Sequence, residues 1–161
     1  KSGYFVVDPL SLFYYRYVFR NASARQLLDP EVFYDRHVFQ DFEENYVPHM
    51  FEEICRQYLV RQNRAGKIEP AFDAIGKYWY DGPANKTSGE FDVVTQDPDG
   101  YTFYEAKFRK SPITQKMVDE EIAQVEATEL KCHRYGFFSR SGFETDGDGK
   151  TVLIDLPQMF E

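Results

Sequence analysis

Two hydrophobic periodicities divide the chain. From residue 47 to about 63, Met50, Phe51, Ile54, Cys55, Tyr58 and Leu59 recur at helical spacing with polar residues between, and Ala65-Gly66 ends the run. Three strand-like segments follow at residues 74–80, 90–95 and 101–108; the last two are joined by Asp97-Pro98-Asp99-Gly100, which predicts a hairpin. Ser111-Pro112 then starts a helix to about residue 130, with Ile113, Met117, Ile122 and Val125 on one apolar face. Strands at 135–139 and 151–156 bracket a loop rich in Gly and Asp. Upstream, residues 4–7 read as a short strand. Asp8-Pro9 caps a helix reaching about Phe19 that is apolar on most sides, residues 21–24 break it, and Asp29-Pro30 starts a shorter helix to about Val38. The order predicts an α/β fold, a mixed sheet flanked by helices at 47–161, preceded by a helical connector at 1–46.

Composition narrows the class. At 161 residues the chain suits one main domain with an appendage, and 42% hydrophobic with 29% charged residues excludes a disordered chain. Aromatic residues reach 17%, many of them early in the chain, which raises the prospect of a docking surface there. No apolar run is long enough to span a bilayer and no leader pattern is present, so a cytoplasmic protein with no membrane partner is expected. Cys55 and Cys132 lack disulfide or zinc spacing and read as buried thiols. His37, His49 and His133 have no partner at ligand spacing, and Trp79 reads as core or edge packing rather than a base-stacking platform. Asp146-Gly147-Asp148-Gly149 reads as a solvated turn, because Pro157 stands where a calcium loop needs Glu. There is no P-loop, and the sequons at Asn21 and Asn85 carry no meaning in a cytosolic protein. The chain begins at Lys1 in mid-pattern, as a piece of something longer would.

A formal net charge of −8 argues against gripping nucleic acid by bulk electrostatics. Basic residues nevertheless cluster at Arg56, Arg61, Arg64 and Lys67, at Lys107, Arg109 and Lys110, and at Lys131, Arg134 and Arg140, and could form a local positive track.

The candidate chemistry lies on the hairpin. Glu105 and Lys107, two apart on a strand, leave on one face. If Gln96 pairs with Tyr101, Asp92 falls opposite Glu105, and the other face carries Phe91, Val93 and Tyr104. Facing like charges destabilise a sheet, an objection that a hard divalent cation removes: Mg or Mn would be held by the two carboxylates, with Lys107 serving water or phosphate. Glu52 on the first long helix would be a third acid. A three-residue loop with a glycine bulge is the competing register; it sets Asp92 opposite Ala106 and abolishes the site.

Asp92, a hairpin turn and Glu105-Ala106-Lys107, preceded by a helix containing Phe51-Glu52, resemble the PD-(D/E)XK nuclease superfamily. With residues 4–17, 51–59, 75–79 and 90–94, the chain is similar to the C-terminal domain of unknown function of archaeal-type P-loop ATPases, also found in bacteria. The resemblance implies a restriction-endonuclease-like fold, with Asp92, Glu105 and Lys107 on the nuclease motif and Glu52 as the helical acid. Glu53 could take the place of Glu52, and Glu90 could join or replace a ligand. It further implies metal-dependent action on nucleic acid, DNA in preference to RNA, and a partner in the ATPase part of a longer chain. The alternative is a catalytically silent module that binds nucleic acid or protein.

Overall fold

The computed structural model describes residue 6 and residues 8–82, 87–128 and 130–161. Residues 4, 5 and 7 of the strand expected at 4–7, and Asn85 and Lys86 of the second sequon, lie outside this set. The chain divides into two compact units, residues 1–50 and 51–161.

In unit 1, α1 (Pro9–Phe13) begins as its sequence predicts: the Asp8 carboxylate accepts from Ser11 N at 2.7 Å and Pro9 occupies the first turn. A π-helical stretch, Tyr14–Phe19, continues it. A second helix, α2 (Ala22–Leu27), occupies the stretch predicted to be a break, and the Asn21 amide turns back to donate to Tyr17 O at 2.9 Å. Then come α3 (Pro30–His37), capped by Asp29 as expected, the short α4 (Phe39–Asp41) and a π stretch Phe42–Tyr46. Tyr17, Phe33, Val38 and Tyr46 are buried together at the centre. Asp41 binds them to the polar rim: it accepts from Arg16 Nε at 2.6 Å, Arg16 Nη2 at 2.7 Å and the Tyr17 hydroxyl at 2.7 Å, and the Arg16 and Tyr17 hydrogen bonds hold its carboxyl well below the usual range.

The helix α5 (Val47–Arg64) runs as its periodicity requires, burying Phe51, Cys55 and Leu59. Unit 2 is a mixed sheet in the order β1 (Ala74–Gly82), β2 (Thr87–Asp97), β3 (Gly100–Lys107), β4 (Cys132–Ser139), β5 (Thr151–Asp155). The first three strands are antiparallel, and β3, β4 and β5 run parallel, with α6 (Gln115–Glu126) crossing between β3 and β4. Alternation along the strands sorts the core. Val93, Tyr104, Phe138 and Ile154 pack with α5, whereas Phe103 packs with Val125 of α6, and Phe137 with Val118 of the same helix. This is the α/β fold with a mixed sheet flanked by helices that the sequence predicts.

Helix α6 starts later than predicted. Ile113 is committed to a parallel bridge with Phe143, its N–H donating to Gly142 O at 3.0 Å while its carbonyl accepts from Glu144 N at 2.8 Å, so the chain turns helical only after Thr114. In the Gly/Asp loop, Asp148 accepts from Lys150 N and the Thr151 hydroxyl, a turn as expected. Both cysteines are free, Cys55 fully buried. Trp79 stands exposed on the edge strand β1, so core packing is excluded for it. No helix among the described residues is long and apolar enough to cross a membrane.

Candidate acid and lysine site

Register decides whether the predicted acids meet. The β2–β3 ladder pairs Gln96 with Tyr101, Val94 with Phe103 and Val93 with Tyr104, so the competing register is not used. Asp97 closes the turn, its carboxylate accepting from Asp99 N at 2.8 Å and Gly100 N at 3.2 Å, and Gly100 takes φ 143°, a conformation suited to glycine.

Beyond Val93 the strands depart from simple alternation. On β1, Gly76 pairs with Val94 and Tyr78 with Phe91, so Lys77 alone faces both Asp92 and Val93: a β-bulge. Its consequence corrects one expectation. Phe91 does not share a face with Val93 and Tyr104; the extra residue carries it to the opposite face, where it packs edge-on against Phe103 at 4.8 Å between ring centroids. Asp92 is left where the ladder opens, and its Oδ2 accepts from Ala106 N on β3 at 2.9 Å.

From there Asp92 feels charges from three elements. Burial raises its pKa to about 6, with Glu52 of α5 adding to the rise, while the Ala106 hydrogen bond and the Lys77 and Lys107 charges oppose it. Glu105 is raised further, to about 8, first by burial and then by the charge of Asp92. Lys107 lies between two acids, 2.5 Å from Glu105 Oε1 and 2.8 Å from Glu121 Oε1 of α6. Burial pulls its pKa down, but these carboxylates outweigh burial and raise it. A second lysine repeats the pattern: Lys77 Nζ is 2.8 Å from Glu52 Oε2 and 2.8 Å from Glu90 Oε1.

The structure therefore brings Asp92, Glu105, Lys107 and Glu52 into one electrostatic network. Glu53 instead pairs with Arg56 at 2.6 Å within α5. Lys77 and Glu121 were not singled out by the sequence reading. A bulge gave no local signal for Lys77, and Glu121 looks like any solvated position of an amphipathic helix. His133, with no partner at ligand spacing in the sequence, has one in the fold: its Nε2 lies 2.9 Å from Oδ2 of Asp97, the residue that closes the hairpin turn.

The predicted basic clusters divide. Arg140 N donates to Lys107 O at 3.3 Å, its guanidinium lies 4.6 Å over the Phe108 ring, and the Ser141 hydroxyl donates to Arg109 O at 2.7 Å, so Arg109 and Arg140 edge the end of the sheet that bears Lys107. Arg134 sits toward the other end of β4, donating to Glu69 O at 3.3 Å. A cavity of about 640 Å³, walled by Tyr58, Lys67, Tyr104 and Arg134 among others, excludes the acidic pair. The space beside Glu105 and Glu121 is only about 10 Å³, room for one water at most.

As donors, Asp92 and Glu105 fit a hard divalent cation: both are oxygen ligands whose buried negative charge a cation would relieve, with water and phosphate completing the shell. Among the described residues no group of three His, Cys, Asp or Glu side chains is placed to hold a metal, so a third protein ligand is not preformed.

Comparison with known proteins adds family but not chemistry. Residues 14–127 match the family DUF234, archaeal and bacterial proteins of unknown function. An uncharacterised protein of Methanocaldococcus jannaschii is 29% identical over 82 residues, which is 51% of this chain and 18% of that protein; the chain thus spans under a fifth of this relative's length. Among solved structures, the crystal structure of AF1548, a protein of unknown function, aligns at TM-score 0.42 and 18% identity over 63% of this chain and 58% of that one.

Proposed function

From the premise that this chain belongs to the DUF234 family of archaeal and bacterial proteins, we propose that unit 2 is a nuclease-like domain directed at phosphodiester bonds of nucleic acid, DNA in preference to RNA. The observation that carries this reading is the sharing of one buried field by Asp92 and Glu105, with Lys107 held against Glu105. A purely structural sheet has no use for two buried carboxylates that raise one another's cost.

Asp92 and Glu105 would hold Mg²⁺ or Mn²⁺, with Glu52 orienting its water shell. When bound, such a cation lowers the pKa of water and offsets charge on the phosphate. Asp92 is oriented by the Ala106 N–H, and Glu105, already 2.5 Å from the Lys107 ammonium, would release its proton to solvent when a divalent cation adds a second positive charge. The Lys107 ammonium, released from Glu121, donates to the attacking water or to a phosphate oxygen. Arg109 and Arg140 at the same end of the sheet hold backbone phosphates in register. The partner in the longer chain would be an N-terminal ATPase part, and the setting cytoplasmic.

A second reading has its own observation. Lys107 is engaged twice, Lys77 bridges Glu52 and Glu90, and the space at Glu105 is closed, which suits a catalytically silent module that binds nucleic acid or protein. Incubation of the chain with supercoiled, linear and single-stranded DNA plus Mn²⁺ separates the two. Cleavage that Lys107→Ala abolishes, together with a rise in Tm on Mn²⁺ addition that Asp92→Ala erases, supports the nuclease. Salt-sensitive binding with neither cleavage nor a cation-dependent Tm overturns it in favour of the module.

A further inference from the structure

Unit 1 holds a feature that the acid and lysine network does not use. A cavity of about 750 Å³ opens among its helices, and its wall includes Tyr15, Arg16, Arg20, Arg36, His37 and Asp41. Three guanidiniums against one carboxylate is a local reversal on a chain of formal net charge −8. That carboxylate is already engaged, because Asp41 takes both Arg16 nitrogens and the Tyr17 hydroxyl. Arg20 follows the π stretch and Arg36 lies on α3, so two separate elements contribute arginines to the wall of one space. Neither forms an ion pair with another described residue.

Beside the arginines is an aromatic cluster that the core of unit 1 does not absorb. Tyr14, Tyr15 and Phe19 are 47%, 54% and 62% exposed, although their rings touch one another at centroid distances of 5.5 to 6.4 Å. Exposed rings in a group, flanked by unpaired guanidiniums, match a ligand that alternates flat apolar surfaces with negative charge. Guanidinium suits phosphate oxygens in a two-bond fork, and an exposed ring can stack on a base only if that base is not already paired.

We propose that this face of unit 1 binds single-stranded nucleic acid, with Arg20 and Arg36 on backbone phosphates and a base stacked on Tyr15. The site is independent of hydrolysis at unit 2, because it needs no cation.

The test is fluorescence anisotropy of a labelled oligothymidylate with the whole chain in EDTA, over a series of salt concentrations. The wild-type chain binds, with affinity falling as salt rises. Arg20→Gln with Arg36→Gln weakens binding at least about tenfold and makes the slope of log affinity against log salt shallower by about 1.4, the loss of two phosphate contacts to a single strand. Tyr15→Leu, which keeps apolar bulk, weakens binding about tenfold without changing that slope. Lys116→Ala, which removes an exposed charge of unit 2 that neither site uses, leaves binding intact. Thermal melts confirm that each variant is folded, since Arg16 and Asp41 are untouched. Wild-type affinity and slope in the double arginine variant overturn the proposal. So does equal loss on Lys116→Ala, which would place binding in unit 2, or competition by polyglutamate as strong as by unlabelled oligonucleotide, which would identify an acidic peptide as the partner.

Discussion

Replacing Glu105 by Gln tests the electrostatics of the acidic pair without any cation. Glu105 has a side chain 16% exposed and a pKa raised from 4.5 to about 8. A carboxyl raised in the folded state binds its proton more tightly folded than unfolded, so stability is full below the unfolded value and declines as pH climbs through the interval to the folded one. At about 1.36 kcal/mol per pH unit, the decline from pH 4.5 to 8 is at most about 5 kcal/mol, and water entry at the ionised site brings the expectation to about 2 to 4 kcal/mol. Glutamine has the shape without the charge, so the variant omits this decline. Asp92, raised from 3.8 to about 6, adds a fall at lower pH that both proteins retain. Urea denaturation in EDTA at pH 5, 6, 7, 8 and 9 measures the difference, in which titrations common to both proteins cancel. Glu105→Gln gains on wild type by about 2 to 4 kcal/mol between pH 5 and 9. Parallel profiles would refute the reasoning. A variant less stable at every pH above 5 would mean that the Lys107 pair dominates and Glu105 is ionised throughout.

Lys77→Met removes the cation between Glu52 and Glu90 and one of the charges holding Asp92 down. The Asp92 carboxyl should then titrate above its present value near 6, followed by ¹³C NMR, with a stability loss of about 1 to 2 kcal/mol at low salt. Gly136→Ala sets a methyl against the Tyr104 ring, in the same core that holds Val93 and Phe138. Thermal denaturation should register a loss of about 1 to 3 kcal/mol, and an unchanged Tm would mean that the ring can move aside. Leu59→Ala empties a position 1% exposed beneath the sheet and should cost about 2 to 5 kcal/mol by chemical denaturation.

The sequence by itself determined every element whose signal is local. Helix α5 follows from its apolar spacing, α1 and α3 from Asp-Pro capping, and the hairpin from Asp97-Pro98-Asp99-Gly100, because caps and turns are decided by hydrogen bonds within a few residues. The turn also set the register, and that brought Asp92 toward Glu105. Tertiary structure decided what a single strand or helix cannot encode. The bulge opposite Lys77 is a mismatch in length between two strands, and it moved Phe91 to the other face and freed Asp92 to cap Ala106. Glu121 joined Lys107 only because α6 crosses over β3, and α6 itself began late because Ile113 had a partner 30 residues on. The same holds for the pKa values: a carboxylate in the sequence is an ordinary acid until burial removes its water, and burial is a property of the packed molecule.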